Sequence, residues 1–478
     1  MMTPAAVRTT AVVLSLAALA ACAPLGPNYQ RPEPLLAATT GDAARELPSQ
    51  YKESATLAGT LLKPASSTTI VAAEWWKRFA DPTLDALMPQ VAFANQNVAQ
   101  AEAKYRQATA AAQQASAARY PTLGSNVSAT RSSQVGNAAR STSQLLSAGL
   151  SAAWELDVWG RARRSIESGE ASAAASASDL AATTLSLQAQ LATNYGALRS
   201  LDVQRGLLEE SVAAYQRSLQ LTKNRYEAGV VAKADVAQAQ SQLLNSQAQL
   251  VETEAQRATL EHSIAVLTGR PPSELSIVRV DRYPLRLPEI EATVPSQLLQ
   301  RRPDIAGAER RMAAANAQIG IAVAAYYPTI SLSGALGQRG TTVADLFSLP
   351  NRFWSLGPAL ALSLFDGGAR DASNAQALAS YDQTVAAYRQ TILNAIQEVE
   401  DNMSTLRVLA EQLAVQQQAV LAAQEALTIT FNQYKAGTVS FLNVSTAQTA
   451  EYSARRTELA LRSQQFATSV ALIRALGG

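Results

Sequence analysis

The chain has 478 residues, and its charged fraction of 16% lies well below the roughly 25% that is usual for soluble domains. Lysine and arginine number 40 against 38 acidic residues, and no basic stripe is interleaved with aromatic side chains, which argues against a nucleic-acid partner. One histidine, His262, and one cysteine, Cys22, are too few for a His/Cys metal site or for a Cys-His or Ser-His catalytic pair.

The first 21 residues are predicted to be a signal peptide. Arg8 precedes an apolar run, Ala11–Ala21, which is shorter than the ~20 residues of a membrane-spanning helix. The sequence LAAC that ends at Cys22 resembles the lipobox of bacterial lipoproteins, which implies cleavage before Cys22 and lipidation of this residue. By the same resemblance, Ala23 in place of aspartate favours the outer membrane. The alternative is a chance cysteine behind an ordinary signal peptide.

The rest of the chain is predicted to form two similar halves. No later apolar run reaches 18 residues, so any crossing of a membrane must be made by strands. The predicted segments are an extended region (22–90), a helix (91–119), a β-hairpin (120–158), a long helical hairpin (159–270), a linker (271–302), a helix (303–326), a second β-hairpin (327–366) and a second long helical hairpin (367–478).

The β-hairpins are predicted from strict alternation of apolar and polar residues. In LLSAGLSAAWELDV the even-numbered positions from 146 to 158 are apolar, and FWSLGPALALSLFDGG repeats this pattern up to Leu364. Weaker partner strands begin at Tyr120 and Tyr327, and polar connections are predicted at 131–144 and at about 338–352. Such alternation is typical of a barrel strand between lipid and water, although a single strand could equally belong to a soluble sandwich.

Four strands cannot close a transmembrane barrel, because such barrels begin at about eight strands. Several chains must therefore share one barrel. Two chains would supply about eight strands and three would supply about twelve, and the periodicity leaves both possibilities open. Trp154 and Trp354 both fall on the apolar, lipid-facing parity.

Each β-hairpin is followed by a long Ala/Gln-rich segment with apolar residues at every seventh position. One such ladder ends at Tyr226 and the other at Tyr434, which lies 208 residues later. The spacing predicts helices that wind around their neighbours, and neither 161–228 nor 370–436 contains a proline. Each could extend roughly 100 Å at about 1.5 Å per residue.

The two long segments end in nearly the same sequence, RYEAGVVAKADVAQAQ from Arg225 and QYKAGTVSFLNVSTAQ from Gln433. The glycines of both copies are predicted to end a helix, because glycine accepts a positive φ. A second helix is expected after each turn, to about Leu267 in the first half and to about Ala475 in the second.

Further motifs along the chain are GPNYQRP (26–32), EWWKRFADPTLDAL (74–87), ELDVWGRARR (155–164), RRPDIAGAERRMAAANAQIGIAVAAYYPTISLSG (301–334) and LFDGG (364–368). Together with the lipobox and the two YxAG turns, they resemble the outer-membrane factor (TolC-like) family, in its OprM/NodT-type lipoprotein branch of RND-type efflux systems. The resemblance implies an α+β membrane protein: a homotrimeric 12-stranded outer-membrane β-barrel, with four strands per chain, continuous with a long periplasmic α-helical coiled-coil barrel, and built on an internal tandem repeat. Regions 22–90 and 271–302 would contribute an equatorial layer.

The function that this resemblance implies is the exit duct of a tripartite efflux pump in the outer membrane of a Gram-negative bacterium. The duct would pass small molecules such as drugs from an inner-membrane pump, expected to be of the RND type, and a periplasmic membrane-fusion adaptor, while its barrel contacts outer-membrane lipid. Alternatives are a duct for metal ions or for type I protein export, or a non-conducting periplasmic lipoprotein scaffold. The sequence has no phosphate loop or dinucleotide fingerprint, so no catalytic residue, cofactor or metal is expected.

By the same resemblance, the duplicated turns are the periplasmic tips of the channel. Adaptor docking is expected at two small-residue surfaces, Ala228-Gly229-Val230 and Ala436-Gly437-Thr438. Family members hold the closed state with hydrogen bonds between hairpins at the tips, and the alternative is that these residues are plain helix caps. The expected gating residues are Arg225, Tyr226, Lys233, Asp235, Tyr434, Asn443 and Thr446.

The second tip departs from the family pattern. Relatives commonly carry acidic residues there, whereas this chain has Ser440, Asn443 and Thr446. Because a ring of carboxylates attracts cations, we expect a closed pore that is less cation-selective and less sensitive to divalent block than in acidic relatives.

Overall fold

The described part of the chain is built from long helices and one four-stranded sheet. The structure is a computed structural model that describes residues 24–33, 48–53, 62–64, 74–135, 140–288, 290–292, 294–346 and 348–478, so the expected signal peptide and Cys22 lie outside the described residues. The helices are α1 (Pro82–Ala94), α2 (Gln96–Ser116), α3 (Arg161–Glu227), α4 (Lys233–Leu267), α5 (Pro295–Arg301), α6 (Pro303–Ala324), α7 (Val343–Leu346), α8 (Ala369–Ala436) and α9 (Phe441–Ala475). The strands are β1 (Leu62–Pro64), β2 (Thr122–Val135), β3 (Arg140–Leu156), β4 (Ile290–Ala292), β5 (Thr329–Gly340) and β6 (Arg352–Ala361), and short 3-10 helices lie at Trp75–Phe79, Ala117–Arg119, Pro272–Glu274 and Leu349–Asn351.

Two compact units make up the chain. The first contains Lys104–Ala177, Gly307–Arg389 and the N-terminal segment up to Glu33, and the second contains Pro34–Ala103, Ser178–Ala306 and Gln390–Gly478. The large sheet belongs to the first unit, whereas the duplicated turns and the parallel pair of β1 and β4 belong to the second. Among the described residues, no helix is both long and apolar enough to cross a membrane.

The four strands of the first unit form one antiparallel sheet in the order β2-β3-β5-β6. Trp154 stands opposite Leu332, so the even-numbered residues of β3 and β5 share one face, and those of β6 join them on the same face. In β2 the odd-numbered residues lie on this face, as Val127 opposite Ala148 shows. Most apolar residues of the four strands therefore lie on one side of the sheet, whereas Leu145 and Phe353 lie on the other.

The two faces of this sheet differ in chemistry. The apolar face is open to the outside of the single chain, with Val127 80% and Trp354 76% exposed. The opposite face carries mainly Ser, Thr, Asn, Gly and Ala, and hydroxyl pairs bridge its strands, such as Ser128 and Ser147 at 2.7 Å. This arrangement suits a sheet with lipid on one side and water on the other.

Two strand boundaries differ from the sequence prediction. The polar connection predicted at 131–144 is wrong, because Arg131 pairs with Gln144 inside the sheet and the ladder continues to Val135. Hydroxyl and amide side chains continue the strands beyond the apolar band, and alternation of hydropathy does not report them. β6 ends at Ala361 rather than continuing towards Leu364, since the chain turns through Gly368, at φ 90°, into α8.

The first predicted helix is interrupted. Residues 91–119 do not form one helix, because Asn95 ends α1 and begins α2. Its side-chain oxygen accepts from the backbone N–H of Asn97 at 2.8 Å, which caps α2, and its side-chain nitrogen donates to the Leu267 carbonyl at 2.8 Å. This buried asparagine thus fixes α2 relative to the end of α4.

A strap, residues 24–31, is fixed to the first unit. The buried guanidinium of Arg164 donates to the carbonyls of Leu25 and Gly26, each at 3.1 Å. Gly26 adopts φ 87°, and a Cβ at this position would lie 2.6 Å from the Cα of Gly320. The GPNYQRP motif is therefore a segment whose conformation and close packing both require glycine.

Buried carboxylates join the motifs of the second unit. Asp81 caps α1 and accepts from the hydroxyls of Tyr195 at 2.7 Å and Tyr283 at 2.6 Å. Burial opposes its ionisation, but these hydrogen bonds and the capped N–H groups hold the pKa of Asp81 below its ordinary value. Burial, reinforced by the bond to Asp81, raises the pKa of Tyr195 to about 12. Asp202 of α3, also buried, pairs with Arg257 of α4 at 2.7 Å and so adds a second tie.

Candidate functional site

The duplicated turns form two exposed tips: the first tip, residues 225–235, joins α3 to α4, and the second tip, residues 433–446, joins α8 to α9. Both close with the same geometry. Gly229 at φ 74° and Gly437 at φ 82° take the left-handed conformation. Their N–H groups donate to the carbonyls of Tyr226 at 2.9 Å and Tyr434 at 3.0 Å. The N–H group of the next residue, Val230 or Thr438, donates to the preceding carbonyl, that of Arg225 or Gln433. This pair of hydrogen bonds is the Schellman motif, which favours glycine at a helix end.

An apolar cluster lies beneath the tips and contains residues from all four helices that meet there. The rings of Tyr434 and Phe441 pack edge to face with their centroids 5.7 Å apart, and each residue is 1% exposed. Their counterparts in the first tip, Tyr226 and Lys233, are not part of it. The buried members of the cluster are Tyr215, Leu219, Ala239, Leu243, Tyr434, Phe441 and Val444.

Three residues, Thr222, Arg225 and Tyr434, form a latch between the end of α3 and the end of α8. The hydroxyls of Thr222 and Tyr434 lie 3.1 Å apart, and both residues are buried. Arg225 donates from Nη1 to the Tyr434 carbonyl, and its guanidinium carbon lies 4.6 Å from the centre of the Tyr434 ring. A Cβ on Gly437 would lie 3.4 Å from Arg225 Nη2, so this glycine also leaves room for the guanidinium.

The other predicted gating residues lie outside the latch. Tyr226 is 44% exposed, Lys233 is exposed and Asp235 is half-buried, and within the described residues none of the three has a side-chain hydrogen bond. Asn443 and Thr446 of the second tip are also exposed, and the Thr446 hydroxyl donates to a carbonyl of its own helix. The structure thus brings together Arg225 and Tyr434 and leaves the remaining five on the surface of the chain.

Both small-residue surfaces are open. All three residues in each of the two surfaces, Ala228-Gly229-Val230 and Ala436-Gly437-Thr438, are exposed. Val230 is 61% exposed, and a Cβ built on Gly229 would meet no atom within 4 Å. Each tip therefore presents a backbone that a second protein can approach closely.

Sequence reasoning missed three buried residues near the tips: Thr222, Phe441 and Gln448. The side-chain nitrogen of Gln448 donates to the Ser218 hydroxyl at 2.9 Å and so joins α9 to α3. The burial of Phe441 could have been predicted, because Phe441 occupies the position that Lys233 has in the first repeat. Replacement of a lysine by a phenylalanine indicates that the position is exposed in one repeat and buried in the other. Thr222 and Gln448 carry no such signal.

The chemistry of the tips is that of a contact surface. In the described part of the chain, no group of three or more His, Cys, Asp or Glu side chains could hold a metal ion. The tips instead offer hydroxyl, amide, guanidinium and carboxylate groups that can exchange hydrogen bonds with a facing chain.

Known proteins share this architecture over nearly the full chain. The family model for outer membrane efflux proteins matches residues 87–270 and 294–478. The pyoverdine export outer membrane protein OpmQ of Pseudomonas aeruginosa PAO1 is 32% identical over 473 residues, covering 97% of this chain and 96% of that protein. The antibiotic efflux pump outer membrane protein ArpC of Pseudomonas putida is 31% identical, covering 95% of this chain and 92% of that protein. The solved outer-membrane channel OprN superposes with a TM-score of 0.86 at 30% identity, covering 95% of this chain and 99% of that one.

Proposed function

This chain belongs to the outer membrane efflux protein family, and from that premise we propose that it is the exit duct of a tripartite pump, closed and docked at its two tips. Membership of the family confirms the predicted fold class, a homotrimeric outer-membrane channel with four strands per chain and a helical periplasmic part. It also confirms the outer-membrane location and the function as an efflux channel.

The observation that carries the duct is the amphipathic sheet. Within the described residues, β2 and β6 each have one strand neighbour, so each chain offers two free sheet edges. Unpaired backbone groups are costly in lipid, and neighbouring chains remove that cost by pairing β2 of one with β6 of the next. The apolar face then meets lipid, and the hydroxyl-lined face surrounds the water-filled path.

The gate is proposed to combine contacts within a chain and between chains. The latch of Thr222, Arg225 and Tyr434 holds the two helical hairpins of one chain together. The other five predicted gating residues lie at the surface of the single chain, where they are available to a neighbouring chain: Tyr226, Lys233, Asp235, Asn443 and Thr446. Opening then requires the latch to break and the exposed side chains to exchange partners.

The adaptor is proposed to dock on the two small-residue surfaces. Their glycines adopt positive φ and present backbone rather than side chains, which allows a partner helix to approach closely. A partner that binds the open tips more tightly than the closed ones would shift the equilibrium towards the open duct. The sequence has no phosphate loop, so we assign the energy supply to a partner. The resemblance to RND-type efflux systems implies that this partner is an inner-membrane pump of the RND type.

Small molecules are the proposed cargo. The relatives named for pyoverdine export and for antibiotic efflux support this class. Ducts for metal ions or for type I protein export remain the second candidates, since the cargo is selected by the pump. A strain that lacks its own duct, supplied with this chain and each type of pump in turn, would distinguish these cargoes by the compound to which resistance returns.

Lipidation of Cys22 is a further proposal. The strap begins at Pro24, two residues after this cysteine, and Pro24 packs closely against Gly160 in the first unit. A lipid on Cys22 would therefore be attached directly to a segment fixed near the sheet. Mass spectrometry of the purified protein should give an N-terminal peptide that starts at acylated Cys22, and an unmodified Cys22 peptide would contradict this.

The first test of the duct is single-channel conductance in a planar bilayer, after the mass of the purified assembly has been determined. We expect a trimer with small, stable currents at rest. Arg225→Ala should raise the conductance by breaking the latch, whereas the control Lys223→Ala removes an exposed cation of the same helix that belongs neither to the latch nor to the proposed gate. A trimer whose conductance is the same for both variants would contradict the latch, and a monomer without conductance would contradict the shared barrel.

A further inference from the structure

The polar face of the sheet carries one cation without a carboxylate partner. Among the described side chains on this face, two are charged, Glu155 and Arg339. Glu155 lies near the helices, and Arg161 is 3.6 Å from its carboxylate. Arg339 lies at the other end, one residue before the end of β5. In the part of the chain that the structure describes, no carboxylate pairs with it.

Phe353 lies beside Arg339 and is unusual on a face of small and polar residues. Gly149 of β3 stands opposite Gly337 of β5, and Gly337 stands opposite Phe353 of β6. A Cβ on Gly337 would lie 2.8 Å from the Phe353 ring, and one on Gly149 would lie 3.6 Å from it. The ring therefore extends across two strands over the space that two glycines leave open.

Arg339 is held on this ring. Its guanidinium carbon lies 4.1 Å from the ring centre, in a cation–π contact, and the residue remains exposed. The nearby carboxylate of Asp345 is engaged by the hydroxyls of Thr341 at 3.2 Å and Thr342 at 2.7 Å. The positive charge of Arg339 is thus fixed in position and faces the water-filled side.

We propose that Arg339 and Phe353 form a cationic collar at the outer end of the channel that favours anionic solutes, such as carboxylates and phosphates, over cations. In the trimer the collar contains an arginine from each chain. The inference rests on the channel function of the family and not on the proposed tip gate.

The collar lies where its charge can affect passage. The strands end away from the helices at this point, so the collar belongs to the exit of a duct whose helices face the periplasm. The surrounding face is lined by hydroxyls and small residues, and a fixed charge acts over about 10 Å at 0.1 M salt. Rings of charged side chains set ion selectivity in pores by this means.

The chain offers a matched control in Arg352. This residue is also exposed and stands opposite Gln338, but its parity places it on the apolar face. Arg339→Gln and Arg352→Gln remove the same charge from the same hairpin, one from each side of the sheet. Arg339→Lys keeps the charge and serves as the rescue variant.

The measurement is the reversal potential of the purified trimer in a KCl gradient near 0.1 M. We expect Arg339→Gln to raise the ratio of K⁺ to Cl⁻ permeability roughly twofold or more, while Arg339→Lys and Arg352→Gln stay near the parent value. Phe353→Leu should shift the ratio less than Arg339→Gln does, because the charge remains but is no longer held by the ring.

Equal reversal potentials for Arg339→Gln and Arg352→Gln would overturn the collar. Each variant is recorded both in the parent and in an Arg225→Ala background, which separates the collar from the gate. If Arg225→Ala fails to raise the conductance, the gate proposal fails, whereas the comparison between Arg339 and Arg352 still decides the collar.

Discussion

The two tips share a sequence pattern and a turn geometry but not a packing environment. Tyr434 is buried beside Phe441, whereas Tyr226, at the same position of the repeat, is 44% exposed. Arg225 of the first tip covers the Tyr434 ring, whereas its repeat counterpart, Gln433, is exposed. The two tips therefore differ in packing where they differ in sequence, at Arg225 against Gln433 and at Lys233 against Phe441.

A repeated glycine turn repeats a backbone conformation but not its packing environment. Both helices end in the same hydrogen-bond pattern because local geometry demands it. Burial depends instead on which side chains of the other half reach the turn. Substitutions at matched positions of the two tips will show whether the tips differ in function as they differ in packing.

The largest effect on stability is expected from truncating Tyr434, with Tyr226 as the matched position. Tyr434→Ala removes a buried ring and should lower stability by about 3–5 kcal/mol, as for other buried aromatics. Tyr226→Ala, at an exposed position, should change it by less than about 0.5 kcal/mol. Thermal unfolding followed by helical circular dichroism measures both, and equal losses would mean that the tips are equivalent.

Removing the two cations should have a smaller effect. Arg225→Ala deletes a charge-assisted hydrogen bond and a cation–π contact, together about 1–3 kcal/mol. Lys233 makes neither contact, so Lys233→Ala should leave the unfolding temperature nearly unchanged in the same assay. If Lys233→Ala destabilises the trimer as much as Arg225→Ala, contacts between chains at the first tip are stronger than the latch within a chain.

Alanine at either turn glycine should cost about 1 kcal/mol, because both adopt positive φ. Gly437→Ala should cost about as much as Gly229→Ala, since its Cβ would lie 3.4 Å from Arg225 Nη2, an ordinary contact, and Gly229 faces open space. Binding of the purified adaptor to each variant tests docking at the same positions. Unchanged binding by both variants would remove the small-residue surfaces from the docking site.

The smallest effect on stability is expected from Asn443→Asp, at a position where the tips differ in charge. The same substitution should have a measurable effect on ion selectivity. Asp235 and Asn443 occupy the same place in the repeat. Asn443→Asp should leave stability within about 0.5 kcal/mol and raise cation selectivity, because carboxylates near a threefold axis attract cations. The matched variant is Asp235→Asn. An unchanged reversal potential in Asn443→Asp would show that Asn443 does not line the constriction.

Much of the architecture was accessible from the sequence. Alternation of hydropathy identified the lipid-facing side of the strands, because residues of one parity face the same environment. The glycines identified the turns, because positive φ is a local property of the backbone. The extent of β2 and β3 was not accessible, since hydroxyl residues such as Ser132 and Ser143 pair without any hydropathy signal. The break at Asn95 was missed because an asparagine cap inside an Ala/Gln-rich segment resembles a surface residue.

The environment of each tyrosine could not be predicted for a different reason. Tyr434 is buried by Thr222 and Arg225, which lie more than 200 residues earlier in the chain. The heptad spacing that leads to both tyrosines gives no information about which one acquires such neighbours. The repeat offered one usable clue, the replacement of Lys233 by Phe441, and it points to the correct tip.

Attachment of the strap to distant residues has a kinetic consequence. Residues 25–28 are synthesised well before the residues that bind them. Arg164 lies 138 residues beyond Gly26, and Asn316, which donates to the Pro27 carbonyl, lies 289 residues beyond Pro27. Closing loops of this length loses chain entropy before any contact compensates, so such contacts form late in folding. We therefore expect the strap to attach after α3 and α6 have formed, so that an early-synthesised segment is among the last to reach its final place.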